Sequence, residues 1–146
     1  MVTALRSLTV AALALCASSA FGRCTPGSEF EPSLCPFRLP PVARIVIEEN
    51  AAKSALEPDA ALSCASFRVD ERLVLRYLRR ARLVDPATAH STLLWSPCYA
   101  AGRLTLRDGR QARWQLTQFG VGWLRIGAGE EHTLYCPACR ERPFVR

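Results

Sequence analysis

An even set of six cysteines, placed after an apolar leader, constrains the fold of this chain more than any other feature. The leader covers residues 1–22, MVTALRSLTVAALALCASSAFG, in which Arg6 precedes an uncharged apolar run and small residues follow. This layout is typical of a secretory signal peptide, with cleavage predicted after Ala20 or Gly22. Cys16 would leave with the leader. The cysteines that remain are Cys24, Cys35, Cys64, Cys98, Cys136 and Cys139.

The predicted destination is the periplasm or the exterior of the cell. The apolar run from Leu8 to Leu15 is far shorter than the roughly 20 residues that a membrane-spanning helix needs. A lipoprotein anchored at Cys16 would need a small residue before the cysteine, where the chain has Leu15. The sequence therefore predicts an exported chain without a transmembrane segment, in a compartment where disulfides form.

Spacing alone leaves the disulfide map open, because six cysteines allow 15 complete pairings. Proximity favours a bridge between Cys24 and Cys35, which would close a proline-rich loop. The other four cysteines would then pair as Cys98 with Cys136 and Cys64 with Cys139, or with these partners exchanged.

The motif Cys136-Pro-Ala-Cys139 has redox and metal-binding interpretations beside the structural one. A thioredoxin-type pair uses a helix N-terminus after its first cysteine, but only seven residues follow Cys139 and Pro143 is one of them. A zinc ribbon would need a second CxxC motif, which the sequence lacks. Structural disulfides are thus the prediction, with a thiol-redox or metal-binding protein as the alternative.

The mature chain is predicted to comprise an arm and one domain. Residues 23–41 form a proline-rich, disulfide-tied arm, and residues 42–146 form a single α+β domain. The segment VDERLVLRYLRRARLV predicts an amphipathic helix, with Asp70 as its N-cap. Its apolar face carries Val69, Leu73, Tyr77 and Ala81, widened by Val74 and Leu78. Asp85-Pro86 is predicted to end this helix and to cap a short second one.

After His90 the pattern changes to strands, in the segments STLLWSPC, GRLTLRDGRQARWQL, VGWLRIG and EEHTLYC. A three-residue hairpin loop at 107–109 places Leu104 opposite Ala112 and Gly102 opposite Trp114, and Gly109 supplies the left-handed residue. The predicted buried face consists of Leu104, Leu106, Ala112, Trp114 and Leu116, continued by Leu124, Ile126 and Leu134. The predicted fold is one amphipathic helix packed on an antiparallel β-meander of about four to five strands.

Arginine supplies the positive charge of the chain. The formal net charge is +6, or +5 once Arg6 is removed, and Lys53 is the only lysine. Arg72, Arg76 and Arg79 form a stripe on the exposed side of the predicted helix and are the candidate binding face. Export makes nucleic acid an unsuitable partner. An anionic envelope lipid or glycan is an alternative ligand for this face.

No catalytic constellation is evident, and no metal or cofactor is predicted. Neither His90 nor His132 has the sequence spacing of a Ser/His/Asp catalytic triad. A nucleophile–base dyad of Cys98 and His132 would need a free thiolate. The pattern of Trp95-Ser96-Pro97-Cys98, Asp108-Gly109-Arg110, Trp114 and Leu134-Tyr135-Cys136-Pro137 resembles small exported proteins of unknown function from Gram-negative bacteria. That resemblance implies an envelope location and no activity. The hypothesis is a non-enzymatic envelope protein that binds an unknown protein partner. An immunity-type inhibitor of a toxin is one concrete version of it.

Overall fold

A seven-stranded antiparallel sheet organises the chain, and the computed structural model describes it over residues 22–144. The strands are β1 (Leu34–Cys35), β2 (Val42–Lys53), β3 (Arg82–Val84), β4 (Cys98–Leu106), β5 (Gln111–Thr117), β6 (Val121–Ile126) and β7 (Glu131–Tyr135). The helices are α1 (Glu71–Arg80) and α2 (Pro86–Thr92). The strand order is β1-β3-β7-β6-β5-β4-β2. The predicted signal segment lies outside the described residues up to position 21, as does the candidate lipidation site Cys16.

The predicted meander of four to five strands is wrong in its extent, although helices and an antiparallel sheet are both present. β4 to β7 do form a meander, in which each strand pairs with the next. The sheet then grows at both edges, through β2 beside β4 and through β3 and β1 beside β7. β1 and β3 have two and three residues. Strands this short have too few residues to show the alternation by which a strand is recognised.

Helix α1 begins as predicted but ends earlier. The carboxylate of Asp70 accepts a hydrogen bond from the backbone N–H of Leu73 at 2.7 Å, which satisfies one of the free N–H groups of the first turn. Ala81 ends the helix with an extended backbone, at ψ 153°. The prediction that the helix covers the whole segment VDERLVLRYLRRARLV is therefore wrong at its end, because Arg82–Val84 is strand β3.

The second helix is also capped as predicted. The carboxylate of Asp85 accepts hydrogen bonds from the backbone N–H and the hydroxyl of Thr88, and Pro86 is the first helical residue. The same helix shortens the strand predicted from STLLWSPC. Its first two residues, Ser91 and Thr92, belong to α2, and only Cys98 belongs to a strand.

The hairpin between β4 and β5 has the predicted three-residue loop. Leu104 pairs with Ala112 and Gly102 pairs with Trp114. Gly109 has φ +89°, a conformation that glycine adopts without the steric penalty of a side chain. Of the predicted core face, all residues are buried except Ile126, which is half-buried.

One face of the sheet packs against α1. Tyr77 of α1 is fully buried, and its hydroxyl donates to the carbonyl of Gly120 at 3.0 Å. A carbonyl of Leu134 lies 3.4 Å from the same hydroxyl. Burial and the neighbouring Tyr135 raise the pKa of Tyr77 well above its usual value. The phenol therefore stays neutral and serves as an internal hydrogen-bond donor.

Among residues 22–144, cover on the opposite face of the sheet is confined to one end. A second apolar cluster forms there from Leu34, Val84 and Ala89, with Leu93 and Tyr135 packed against it. These residues belong to α2, to the segment after it, and to β1, β3 and β7. The outward sides of β6, β5 and β4 are left with exposed or half-buried residues.

Three disulfides join the six cysteines of the described residues. Cys24 pairs with Cys35, as proximity suggested. The expected bridges between the central and the C-terminal cysteines are wrong, because Cys64 pairs with Cys98 and Cys136 pairs with Cys139. Spacing could not reveal this, since the pairing depends on how the loop before α1 returns to the start of β4.

Candidate functional site

Three arginines lie side by side across the uncovered face of the sheet. Arg103 of β4 pairs in register with Arg113 of β5, and Arg113 pairs with Arg125 of β6. All three are exposed. Their side chains share one face because each alternates with buried residues along its strand. We call these three residues the arginine ladder.

The two outer arginines of the ladder have neighbours that offset their charge. The Nε of Arg103 lies 2.6 Å from a carboxylate oxygen of Glu48. The guanidinium of Arg125 lies 6.0 Å from the ring centroid of Trp123, at the outer limit of a cation–π contact. Arg125 also pairs in register with Glu131 at the next strand.

Arg113, at the centre of the ladder, has no such neighbour. Within residues 22–144, no ion pair or side-chain hydrogen bond engages its guanidinium. Its two cross-strand neighbours are both arginines. Like charges directly opposite each other destabilise a sheet. The fold therefore carries an electrostatic cost at this position that an anionic ligand would remove.

The acidic residues nearest to the ladder on β2 already have partners. Glu48 pairs with Arg103. A carboxylate oxygen of Glu49 accepts a hydrogen bond from the hydroxyl of Tyr99 at 3.0 Å. Burial and this hydrogen bond to Glu49 raise the pKa of the Tyr99 phenol. Both carboxylates therefore contact other residues, and neither forms an ion pair with Arg113 at the centre of the ladder.

A row of less charged residues lies beside the ladder on the same face. Gln115, Trp123 and Thr133 are paired across β5, β6 and β7. Trp123 is half-buried, so one part of its ring remains available for contact. Arginine and tryptophan together are the side chains most enriched among residues that dominate binding energy at protein interfaces.

A cavity of about 210 Å³ opens beyond this row, between the sheet on one side and α2 with the segment that follows it on the other. Thr117, Val121 and Thr133 line it from the sheet. Trp95 and Leu94 line it from the other side, and they remain 57% and 64% exposed. Exposure of two large apolar side chains around one cavity marks a surface suited to contact with another molecule.

A larger cavity of about 520 Å³ lies beside the first and shares Leu93 and Leu94 with it. The disulfide-tied arm forms one wall, where Phe30 is 80% exposed. Arg82 lines the cavity, but its guanidinium already donates to the hydroxyl of Thr25 at 2.6 Å and to the carbonyl of Leu34 at 2.8 Å. Arg82 thus holds the arm against β3 and is a structural residue.

The helix stripe predicted as the binding face points away from the arginine ladder, because α1 packs on the other side of the sheet. Arg72 and Arg79 are exposed, and no contact among the described residues engages their guanidinium groups. Arg76 lies 3.2 Å from a carboxylate oxygen of Glu141. One of the three charges of the stripe is therefore paired with the C-terminal segment.

Glu141 is held in its charged form. A hydrogen bond from its own backbone lowers the pKa of the Glu141 carboxyl most, and Arg76 and Arg80 lower it further. The contact with Arg80 measures 3.5 Å. This acidic residue ties the tail to α1 and reduces the positive charge of the helix stripe.

The alternative sites of the sequence analysis have little support in the geometry. Cys136 and Cys139 are joined to each other and are 2% and 4% exposed, so a thiolate from solution has poor access to their sulfurs. Cys98 is consumed by a disulfide, while the ring of His132 packs against Phe37. Among residues 22–144, no three His, Cys, Asp or Glu side chains are grouped as a metal site would require.

Sequence reasoning missed the arginine ladder, although part of it was readable. The predicted hairpin register places Gly102 opposite Trp114 and Leu104 opposite Ala112, and the residues between them, Arg103 and Arg113, must then face each other. The third member could not be placed in this way. Its position depends on the register between β5 and β6, in which Arg113 pairs with Arg125.

Comparison of this chain with protein-family models, with curated proteins and with solved structures found no match. In the part of the chain that the structure describes, no helix is both long and apolar enough to cross a membrane.

Proposed function

We propose that this chain is an exported, non-enzymatic interaction protein of the cell envelope that binds an acidic protein partner through the arginine ladder. The observation that carries the proposal is the position of Arg113 between two other arginines, with no carboxylate engaging it among the described residues. Repulsion between the three arginines lowers the stability of the free protein, and a bound anion would relieve this repulsion. Its ligand should therefore bring negative charge.

The shape of the site favours a macromolecule. The ladder lies on the open face of three adjacent strands and does not line either of the cavities described above. Arginine binds carboxylates through two parallel hydrogen bonds and also stacks on aromatic rings. A protein surface that presents several carboxylates can engage the three guanidinium groups together, which a small anion cannot do.

The proposed location rests on the covalent framework. Three disulfides within residues 22–144 are compatible with an oxidising compartment outside the cytoplasm. In the periplasm, an inhibitor that protects the cell from a delivered toxin is one concrete version of this function. Its target would carry an acidic surface.

The test compares two charge reversals of equal size on different faces. Tagged mature protein, as wild type, Arg113→Glu and Arg72→Glu, is used to capture partners from envelope extracts. The captured protein is identified by mass spectrometry, and hydrogen exchange locates the protected strands. We expect an acidic partner that protects β4 to β6, that Arg113→Glu no longer captures, and that Arg72→Glu retains.

Two results would contradict this assignment. Loss of capture by Arg72→Glu with retention by Arg113→Glu would move the interface to the helix. Protection of strands other than β4 to β6 would remove the ladder from the interface. The two variants are matched, because each reverses one exposed charge, and Arg72 lies in the first turn of α1 where a carboxylate is favourable.

A second candidate is the binding of an anionic envelope lipid or glycan by the helix stripe. The exposed guanidinium groups of Arg72 and Arg79, which no described contact engages, favour it. The test is sedimentation with vesicles that contain anionic phospholipid. Binding that is lost when Arg72 and Arg79 become alanine would support it, and equal binding by this variant would exclude the stripe.

A further inference from the structure

We infer that the cavity beside Trp95 receives an apolar side chain of the same acidic partner, and so anchors the complex that the arginine ladder attracts. This inference rests on the proposed function. It assigns a task to the cavity of about 210 Å³ and specifies the partner as a segment with an apolar side chain close to a cluster of carboxylates.

The lining of the cavity is suited to such an anchor. Its apolar side chains are Pro86, Ala89, Leu93, Leu94, Trp95 and Val121. The polar residues around it are His90, Ser96, Thr117 and Thr133, and the hydroxyls of Ser96 and Thr117 already have partners. The hydroxyl of Ser96 lies 3.2 Å from the Gln118 side-chain oxygen, and the hydroxyl of Thr117 donates to the carbonyl of Val121 at 2.9 Å. An apolar group can therefore enter without depriving these hydroxyls of hydrogen bonds.

Trp95 marks the side of the cavity that a partner would contact. Its side chain is 57% exposed, and the adjacent Leu94 is 64% exposed. Both line the cavity from the segment between α2 and β4. A partner side chain inserted between these residues and the sheet would remove apolar surface of both molecules from water, which is the main favourable term in association. Exposed tryptophan beside a pocket is typical of residues that dominate binding energy.

The sheet register places the cavity at a defined distance from the ladder. Thr133, in the cavity wall, pairs with Trp123, and Trp123 lies two residues before Arg125 on β6. Val121, also in the wall, lies two residues before Trp123. Because residues two apart on a strand are about 6.6 Å apart, the cavity and the ladder are separated by roughly 13 Å. An extended partner segment covers this distance in about four residues.

The two sites would make different contributions to one complex. Exposed charges at the ladder mainly increase the association rate, and this effect decreases with salt. A buried apolar anchor mainly slows dissociation, and it is insensitive to salt. This difference allows the anchor to be tested separately from the ladder.

The probes are two blocked synthetic peptides, FSGSEDE and GSGSEDE, which differ only in the phenylalanine placed four residues before the first carboxylate. Their dissociation constants for the mature, disulfide-bonded protein are measured by calorimetry at low and high salt. We expect FSGSEDE to bind the wild type about 30-fold more tightly than GSGSEDE, the ratio typical of a residue that dominates an interface. FSGSEDE should shift the tryptophan fluorescence to shorter wavelength more than GSGSEDE does, and this difference should be absent in Trp95→Ala, because Trp114 and Trp123 also contribute to the emission.

The variants separate the anchor from the ladder. Trp95→Ala should abolish the preference for FSGSEDE and leave the affinity for GSGSEDE and its salt dependence unchanged. Arg113→Glu should weaken both peptides equally. Phe30→Ala is the matched control, because it removes another exposed aromatic side chain, which lines only the larger cavity.

Each outcome has one meaning. If Arg113→Glu weakens binding but the two peptides bind the wild type equally, the anchor is wrong and the proposed function stands. If Phe30→Ala, and not Trp95→Ala, removes the preference, the anchor lies in the larger cavity and the inference is wrong. If Arg113→Glu has no effect on either peptide, the ladder does not recognise acidic segments, and the proposed function fails independently of the anchor.

Discussion

Replacing Arg113 should stabilise the folded protein, although the residue is the centre of the proposed site. Its two cross-strand neighbours, Arg103 and Arg125, are both positively charged. An exposed cross-strand pair contributes about 0.2–0.5 kcal/mol, at the low end of the range for such pairs because solvent screens it. Arg113→Gln removes two repulsive pairs, so we expect a gain of about 0.5 kcal/mol in the free energy of unfolding.

Arg113→Glu should have a larger effect, because it converts the two repulsive pairs into attractive ones. The expected gain is about 1 kcal/mol, which corresponds to an increase of roughly 3–5 °C in Tm for a domain of this size. Arg113→Lys keeps the charge and should leave stability nearly unchanged. The assay is equilibrium urea unfolding of the oxidised protein, with the midpoint and the slope fitted for each variant.

Salt concentration provides an internal control for this prediction. The Debye length is about 10 Å at 0.1 M salt and about 3 Å at 1 M, so repulsion between exposed arginines is largely screened at the higher concentration. The gain from Arg113→Gln should therefore be largest at low salt and small at 1 M. A loss of stability with Arg113→Glu at low salt would refute the reasoning. So would an equal gain with Arg113→Lys, since that gain could not come from charge.

Three further predictions concern the scaffold. Changing Cys64 and Cys98 to alanine should lower the free energy of unfolding in urea by about 4 kcal/mol. Removal of either other bridge should cost less, because the Cys64–Cys98 bridge closes the longest loop, with a sequence separation of 34. Tyr77→Phe should cost about 1 kcal/mol, because the Gly120 carbonyl loses the phenol as a donor but keeps the backbone N–H of Cys136 at 3.0 Å, and an unchanged urea midpoint would contradict the hydrogen bonds described. Asp85→Ala should destabilise the protein more at pH 7 than at acidic pH, where the carboxyl is protonated in both the folded and the unfolded state. The hydrogen bonds from Thr88 lower the pKa of Asp85 in the folded state, so its contribution is present above the unfolded pKa and is lost as the pH falls through the folded pKa. Equal losses at both pH values would argue against the ionised cap.

The parts of the fold that were predicted correctly are those with local signals. Asp70 caps α1, and the hairpin loop at 107–109 sets the register of β4 and β5. In both cases a few neighbouring residues carry the information, through a side-chain oxygen near free N–H groups or a glycine at positive φ. These features can be identified without knowledge of what packs against them.

The parts that were missed depend on distant partners. Arg82–Val84 follow a helical pattern in the sequence, yet they form β3 because Ala81 adopts an extended backbone and β7 offers a free edge. Leu34–Cys35 likewise become a strand only by pairing with β3. The candidate site shows the same division. The pairing of Arg103 with Arg113 follows from a local hairpin, whereas Arg125 and the cavity beside Trp95 depend on the whole sheet.

The order of the disulfides has a consequence for how the chain could mature. The six cysteines of the described residues form consecutive pairs along the sequence: Cys24 with Cys35, Cys64 with Cys98, and Cys136 with Cys139. For a chain threaded through a translocation channel from its N-terminus, both members of each pair emerge before the next pair begins. Oxidation of cysteines in their order of emergence would yield the native map directly, so such a chain would need an oxidant but no enzyme that reshuffles mispaired bridges.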